Sequence, residues 1–121
     1  MAELHSRPEV TYAIRIFPIE EAVSAKLETE FPDLAVDRRY LARLGGWNLV
    51  LDIGDGTDVE PIVAALRRDG LETTFDIFVS LVPETDSIIG EVPRNIIRII
   101  QEFGCPIMIS CTSGTSASPT A

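Results

Sequence analysis

A chain of 121 residues, 45% of them hydrophobic, can bury about two thirds of its unfolded surface in one core without a metal or disulfide, and is too apolar for a disordered chain. Its formal charge of −9 argues against nonspecific nucleic-acid binding, which needs a basic surface. No apolar run approaches the ~20 residues of a membrane-spanning helix.

Residues 1–9 are polar, include Pro8 and lack the apolar stretch of a secretory signal, so a flexible N-terminus is expected. The only histidine, His5, falls there, which leaves no positioned imidazole for catalysis. Val10 to Phe17 alternates, with Tyr12, Ile14 and Ile16 on one face and Ala13, Arg15 and Phe17 on the other, the period of a half-buried strand. Pro18 closes it and stands near the start of a helix, Ile19 to Phe31. In that helix Glu20 and Glu21 complement the dipole, and Ile19, Val23, Leu27 and Phe31, with Ala22 beside them, form the apolar stripe.

Val36 to Ile53 reads as a hairpin. Gly45-Gly46 between two alternating runs is the signature of a tight two-residue turn. With Leu44 opposite Trp47, the register sets Tyr40 against Leu51, Arg38 against Ile53 and Arg39 against Asp52. Trp47, Leu49 and Leu51 then share the core face, and Arg39, Leu41, Arg43, Val50 and Asp52 share the reverse.

After Gly54-Asp55-Gly56, Thr57 and Glu60 have the spacing of a capping box for a helix to about Asp69, with Val59, Ile62, Val63 and Leu66 buried and Gly70 past its end. Thr73 to Val82 alternates Phe75, Ile77, Val79 and Leu81 with Thr74, Asp76, Phe78 and Ser80, a further strand. A polar loop, Pro83 to Gly90, leads to a third helix from Glu91 or Val92 to Phe103, with Pro93 in its first turn. Val92, Ile96, Ile99, Ile100 and Phe103 line its apolar side. Gly104 ends the helix, Pro106 to Cys111 forms a last strand, and the Ser/Thr/Ala-rich residues that follow form a tail. Cys105 and Cys111 are the two cysteines. An extended strand between them holds them about 20 Å apart, beyond the ~7 Å reach of a disulfide, and free thiols favour the cytoplasm.

The order β-α-β-β-α-β, then α-β, predicts an α+β fold: a ferredoxin-like βαββαβ unit with an added C-terminal αβ unit. Right-handed crossovers give a five-stranded sheet of order 5-4-1-3-2 with three helices on one face. The domain spans 10–112, followed by a disordered tail at 113–121. The other sheet face is left open, and Arg15, Arg39, Leu41, Arg43, Val50, Asp52 and Phe78 are the candidate interface on it. An apolar middle with a charged surround is the pattern of a contact surface, either for a protein partner or for a homodimer.

No motif carries catalysis. No Ser-His or Cys-His pair, no clustered zinc ligands and no phosphate loop is present. Asp52, Asp55, Asp58 and Glu60 are the densest carboxylate group, but the spacing of a calcium loop is absent, and turn and capping chemistry explains them. No catalytic, cofactor or metal residue is assigned and no cofactor is expected. Nucleic acid and membrane are not expected as partners.

In the second half, Arg68-Asp69-Gly70 precedes the strand Thr74 to Val82. The acidic turn Glu84 to Asp86, the helix to Phe103, Gly104 and the strand Ile107 to Cys111 then follow. This order, over residues 59–112, resembles a family of small bacterial domains of unknown function, some of them assigned as immunity proteins of toxin systems. The acidic charge and the absence of catalytic constellations favour a noncatalytic protein-binding domain; the resemblance implies an immunity-type inhibitor of the bacterial cytoplasm and carries over no functional residue. The alternative readings are a small-molecule-binding regulatory (ACT-like) domain, since such folds are reused for sensing, or a protein of unknown function without a ligand.

Overall fold

Alternating apolar residues build a mixed sheet. The computed structural model describes residues 9–82 and 91–111. His5, the N-terminal residues 1–8, the polar loop with its acidic turn, and the tail from 112 onward lie outside the described residues. The elements are β1 (Glu9–Ile19), α1 (Glu21–Glu30), β2 (Ala35–Leu41), β3 (Gly46–Ile53), α2 (Glu60–Arg68), β4 (Phe75–Val82), α3 (Arg94–Phe103) and β5 (Ile107–Cys111). Hydrogen-bonded neighbours run β2-β3-β1-β4-β5 from one edge of the sheet, which is β5-β4-β1-β3-β2 counted from the other. Four of the strands pair antiparallel, and β5 joins β4 in parallel.

One face of the sheet supplies the core. Ile14 and Ile16 of β1, Leu49, Leu51 and Ile53 of β3 and Ile77 of β4 are almost fully buried. They belong to a single cluster with Leu27 of α1, Ile62, Val63 and Leu66 of α2, and Ile96 and Ile99 of α3. All three described helices therefore pack on the same side. Phe75 meets Phe103 edge-to-face across this core, at 5.3 Å between ring centroids.

The hairpin keeps its faces and changes its register. Tyr40 opposes Trp47, Arg38 opposes Leu49 and Arg39 opposes Asn48, so the expected Arg39–Asp52 pair does not form. The turn is longer than two residues: Leu41 O accepts from Leu44 N and Gly45 N, at 3.0 and 2.8 Å. The two glycines serve different needs. Gly45 has φ +74°, a left-handed conformation that favours glycine. Gly46 is packed so closely that a Cβ there would sit 2.7 Å from Pro18 Cβ. The displacement moves each partner by four positions (Arg38 faces Leu49 in place of Ile53). An even displacement preserves which face each side chain takes.

All three described helices start later than the sequence predicts, and β4 and β5 start at Phe75 and Ile107 in place of Thr73 and Pro106. β1 runs on past Pro18, because an irregularity between Ile16 and Ile19 returns Ile19 to the core face opposite Trp47; α1 accordingly begins at Glu21 and not at Ile19. In α1 the buried positions are Ser24 and Leu27, while Ala22 is exposed, being turned by roughly 100° from Val23. α2 begins at Glu60 without the expected capping box: Thr57 Oγ1 accepts from Gly54 N inside the loop (2.9 Å), and Asp58 Oδ1 accepts from Glu60 N (3.1 Å). α3 begins at Arg94 after the extended Pro93, which leaves Val92 47% exposed and outside the core. Gly70 and Gly104 close their helices with positive φ, as their positions predict.

Candidate functional site

The sheet face away from the helices is where the sequence-predicted residues gather. Cross-strand pairing lays them out in rows. Asp37 of β2, Val50 of β3, Arg15 of β1 and Asp76 of β4 stand opposite one another in a continuous line across the sheet. The next row along the strands is Asp52, Ala13, Phe78 and Met108. On the other side of the first row, Arg39 faces Asn48, and Phe17 N donates to Thr74 O at 3.0 Å.

These rows enclose a groove of about 560 Å³, with Phe17, Leu41, Val50, Phe75 and Pro106 as its apolar lining and Arg15, Asp37, Arg39, Asn48, Thr73, Thr74 and Asp76 as polar lining. Arg15 is held by a two-pronged pair with Asp76: Nε donates to Oδ1 at 3.0 Å and Nη2 to Oδ2 at 2.9 Å. Its guanidinium also lies over the Phe78 ring, 4.4 Å from the centroid. Planar stacking with bidentate pairing is a geometry arginine supports and lysine does not. Arg39 Nε donates to Asp37 Oδ2 at 3.2 Å, and the Arg39 side chain remains 68% exposed.

Of the seven predicted interface residues, Arg15, Arg39, Leu41 and Val50 line the groove. Phe78 lies beside it beneath Arg15. Asp52 is exposed in the adjoining row without Arg39 as its partner, and Arg43 belongs to the hairpin turn. Asp37, Asn48, Thr73, Thr74 and Pro106 also line the groove and were missed. Asp37 was legible from its place two residues before Arg39 on the same face. The threonines come from the turn before β4, whose position depends on a long-range contact.

The acidic loop is engaged by its own chain. Asn95 Nδ2 donates to Gly54 O at 2.8 Å and to Thr57 O at 3.1 Å, tying the loop to α3. Among the described residues no three His, Cys, Asp or Glu side chains gather as metal ligands, and no helix is long and apolar enough to cross a membrane. Both cysteines are free. Burial pushes the Cys105 thiol up, and the nearby Asp76 carboxylate adds to the shift, so this sulfur is held as a thiol and not as the nucleophilic thiolate.

On the helical side, charges are paired with one another. Arg98 bridges Glu60 and Glu102, and Arg67 also reaches Glu102, joining α2 to α3. Asp69 lies between Arg68 and Lys26, and Arg68 also holds Glu30 of α1. The Arg68 hydrogen bond, reinforced by Lys26, lowers the Asp69 carboxyl to about 2.

Fold and site together define an α+β domain whose polar, apolar-lined groove lies on a sheet face that none of the described helices covers. No protein family, curated protein or solved structure matches the chain.

Proposed function

We propose that this protein is a noncatalytic binding domain that docks a protein partner on its helix-free sheet face. The groove carries this reading. Apolar lining with a paired-charge rim is the anatomy of a protein contact surface, and an exposed arginine such as Arg39 is a frequent energetic anchor in one. The first six elements are read as a ferredoxin-like unit extended by α3 and β5, which accounts for the described helices gathering on one side of the sheet and none of them on the other. The charge of −9 favours a basic partner, since complementary fields speed association. The resemblance over residues 59–112 gives the form of the proposal: an immunity-type inhibitor of a basic bacterial toxin.

The test is co-expression with the toxin-type product of an adjacent gene, scored by survival and co-purification. Wild-type protein is expected to protect. Leu41→Asp with Arg39→Glu is expected to abolish protection while leaving the melting temperature unchanged, because neither residue belongs to the core cluster. Absence of protection by the wild type, or full protection by the double variant, refutes docking on this face.

The groove volume also falls within the range of small-molecule sites, which favours an ACT-like regulatory domain as the second reading. Thermal shift against amino acids and nucleotides separates the two. A true ligand at 100 times its Kd adds about 2.7 kcal/mol of stability, and a flat response across the panel removes this reading.

A further inference from the structure

We propose that the outer edge of β5 is an interface at which a second copy of this chain adds its own β5 antiparallel, joining two five-stranded sheets into one. β5 pairs with β4 on one side, and among the described residues no strand pairs with the other. Its outward N–H and C=O groups form a template for another extended strand.

The two sheet edges are dressed differently. β2 carries Asp37, Arg38 and Arg39 and an irregularity between Ala35 and Asp37, the usual protections of an edge that stays single. β5 has neither. Its sequence is Ile-Met-Ile-Ser-Cys, and Ile107, Met108 and Ile109 are 45%, 49% and 66% exposed. The register with β4 places Ile107 and Ile109 on the helix side with Ile77 and Val79, and Met108 on the open side with Phe78. Apolar surface is thus offered on both faces of the same edge.

Charge selects where a second copy can meet the first. Two copies of a chain at −9 repel each other, so contact holds best where the local surface is neutral. No residue from Gly104 to Ala121 has a charged side chain. A two-fold arrangement sets this neutral strip against itself. Centred on Ile109, antiparallel pairing opposes Ile109 with Ile109, Met108 with Ser110, and Ile107 with Cys111, so each copy supplies the strand the other lacks. The open faces of the two copies would then run together, with Met108 near the seam.

Sedimentation equilibrium of the full chain at about 100 μM, a concentration at which a micromolar complex is fully formed, is expected to give the dimer mass. Ile109→Lys is expected to give the monomer mass with unchanged circular dichroism. Ile109→Cys, in a background with Cys105 and Cys111 replaced by Ser, is expected to form a disulfide-linked dimer on mild oxidation; this readout stands even if the lysine variant folds poorly. A monomeric wild type overturns the proposal. So does a dimer that survives Ile109→Lys, or a 1–111 truncation that dimerises where the full chain does not, which would mean that the chain's own residues 112–121 occupy the edge.

Discussion

Replacing Arg38 with alanine tests whether β2 is fastened to α1 by a single side chain. Arg38 Nε donates to Ser24 Oγ at 2.8 Å, and Ser24 is fully buried, its hydroxyl donating onward to Glu21 O at 2.8 Å. The Arg38 guanidinium also lies 4.4 Å from the centroid of the Trp47 ring, and the side chain is only 19% exposed. A hydrogen bond from a charged donor contributes about 1.5–3 kcal/mol, and a partly exposed cation–π contact about 0.5–1. Glu28, 3.9 Å away and half exposed, adds little through a screened pair. Water reaching the truncated site recovers part of the loss, so Arg38→Ala is expected to cost about 2–3 kcal/mol. For a domain of this size each kcal/mol moves Tm by roughly 3–6 °C. Urea denaturation followed by the single tryptophan measures the loss directly, since Trp47 lies under the guanidinium. A double-mutant cycle with Ser24→Ala is expected to show about 1 kcal/mol of coupling. Arg38→Lys should recover little, because an ammonium cannot lie flat on the indole while donating along the Nε direction. A loss below about 0.5 kcal/mol, or coupling below about 0.3, would refute the fastening.

The hairpin glycines are expected to fail for different reasons. Gly46→Ala forces a Cβ to within 2.7 Å of Pro18 Cβ and 3.2 Å of the Phe17 ring, an overpacking cost of about 1–3 kcal/mol. Gly45→Ala meets no atoms but holds φ at +74°, costing about 1–2 kcal/mol; equal tolerance of both in denaturant melts would contradict these roles. Acid should weaken the helical layer through Asp69, whose folded value of about 2 lies below its ordinary 3.8. Its stabilisation, about 1 kcal/mol after screening, is complete above the unfolded value and is lost as pH falls from about 4 through 2. Glu30 and Glu102, lowered by Arg68 and Arg98 respectively, act in the same direction. Asp69→Asn should therefore flatten the acid limb of the stability–pH curve, and an unchanged limb would show that the pairing is not what Asp69 contributes.

How much of this could be read from residues alone depends on distance along the chain. Face assignment from period two held within the strands: Ile14, Ile16, Leu49, Leu51 and Ile77 are core, and Arg15, Arg39, Leu41 and Val50 share the opposite face; it failed for Arg43 and Leu44, which lie in the turn after β2. Partner assignment failed where a turn had to be guessed. Gly45-Gly46 has the composition of a two-residue turn, yet Gly46 is needed for its approach to Pro18, nearly thirty positions away, so the bend moved back to Leu41. Thr57 likewise has the spacing of a cap, but the Gly54 amide lies within its reach first. The pairing of Arg15 with Asp76 spans 61 positions; both were assigned to the open face, but only the register of β1 on β4 makes them neighbours. Thr73, Thr74 and Pro106, expected inside their strands, lie just before β4 and β5 and line the groove from there; alternation gave Thr74 the face of Asp76 but not its place beside β1.

The distribution of charge ties the two surfaces of the molecule together. Lys26, Arg67, Arg68 and Arg98 are paired with carboxylates among the helices, Arg38 is laid over Trp47, and Arg15 is bound to Asp76. Most of the ten basic side chains therefore work within the fold, where a paired arginine stitches elements together and projects little field of its own. The acidic excess is left to dominate the far field, which is the component that steers a partner during approach. In the proposed binding modes, short-range recognition would fall to other groups: the exposed Arg39 with Leu41 and Val50 at the groove, and the uncharged strand β5 at the edge. Under that proposal, long-range attraction of a basic molecule and close contact through an apolar, arginine-edged sheet face would be properties of different residues. Substitutions at Leu41 should change the lifetime of a complex, and substitutions among the outlying carboxylates should change how fast it forms.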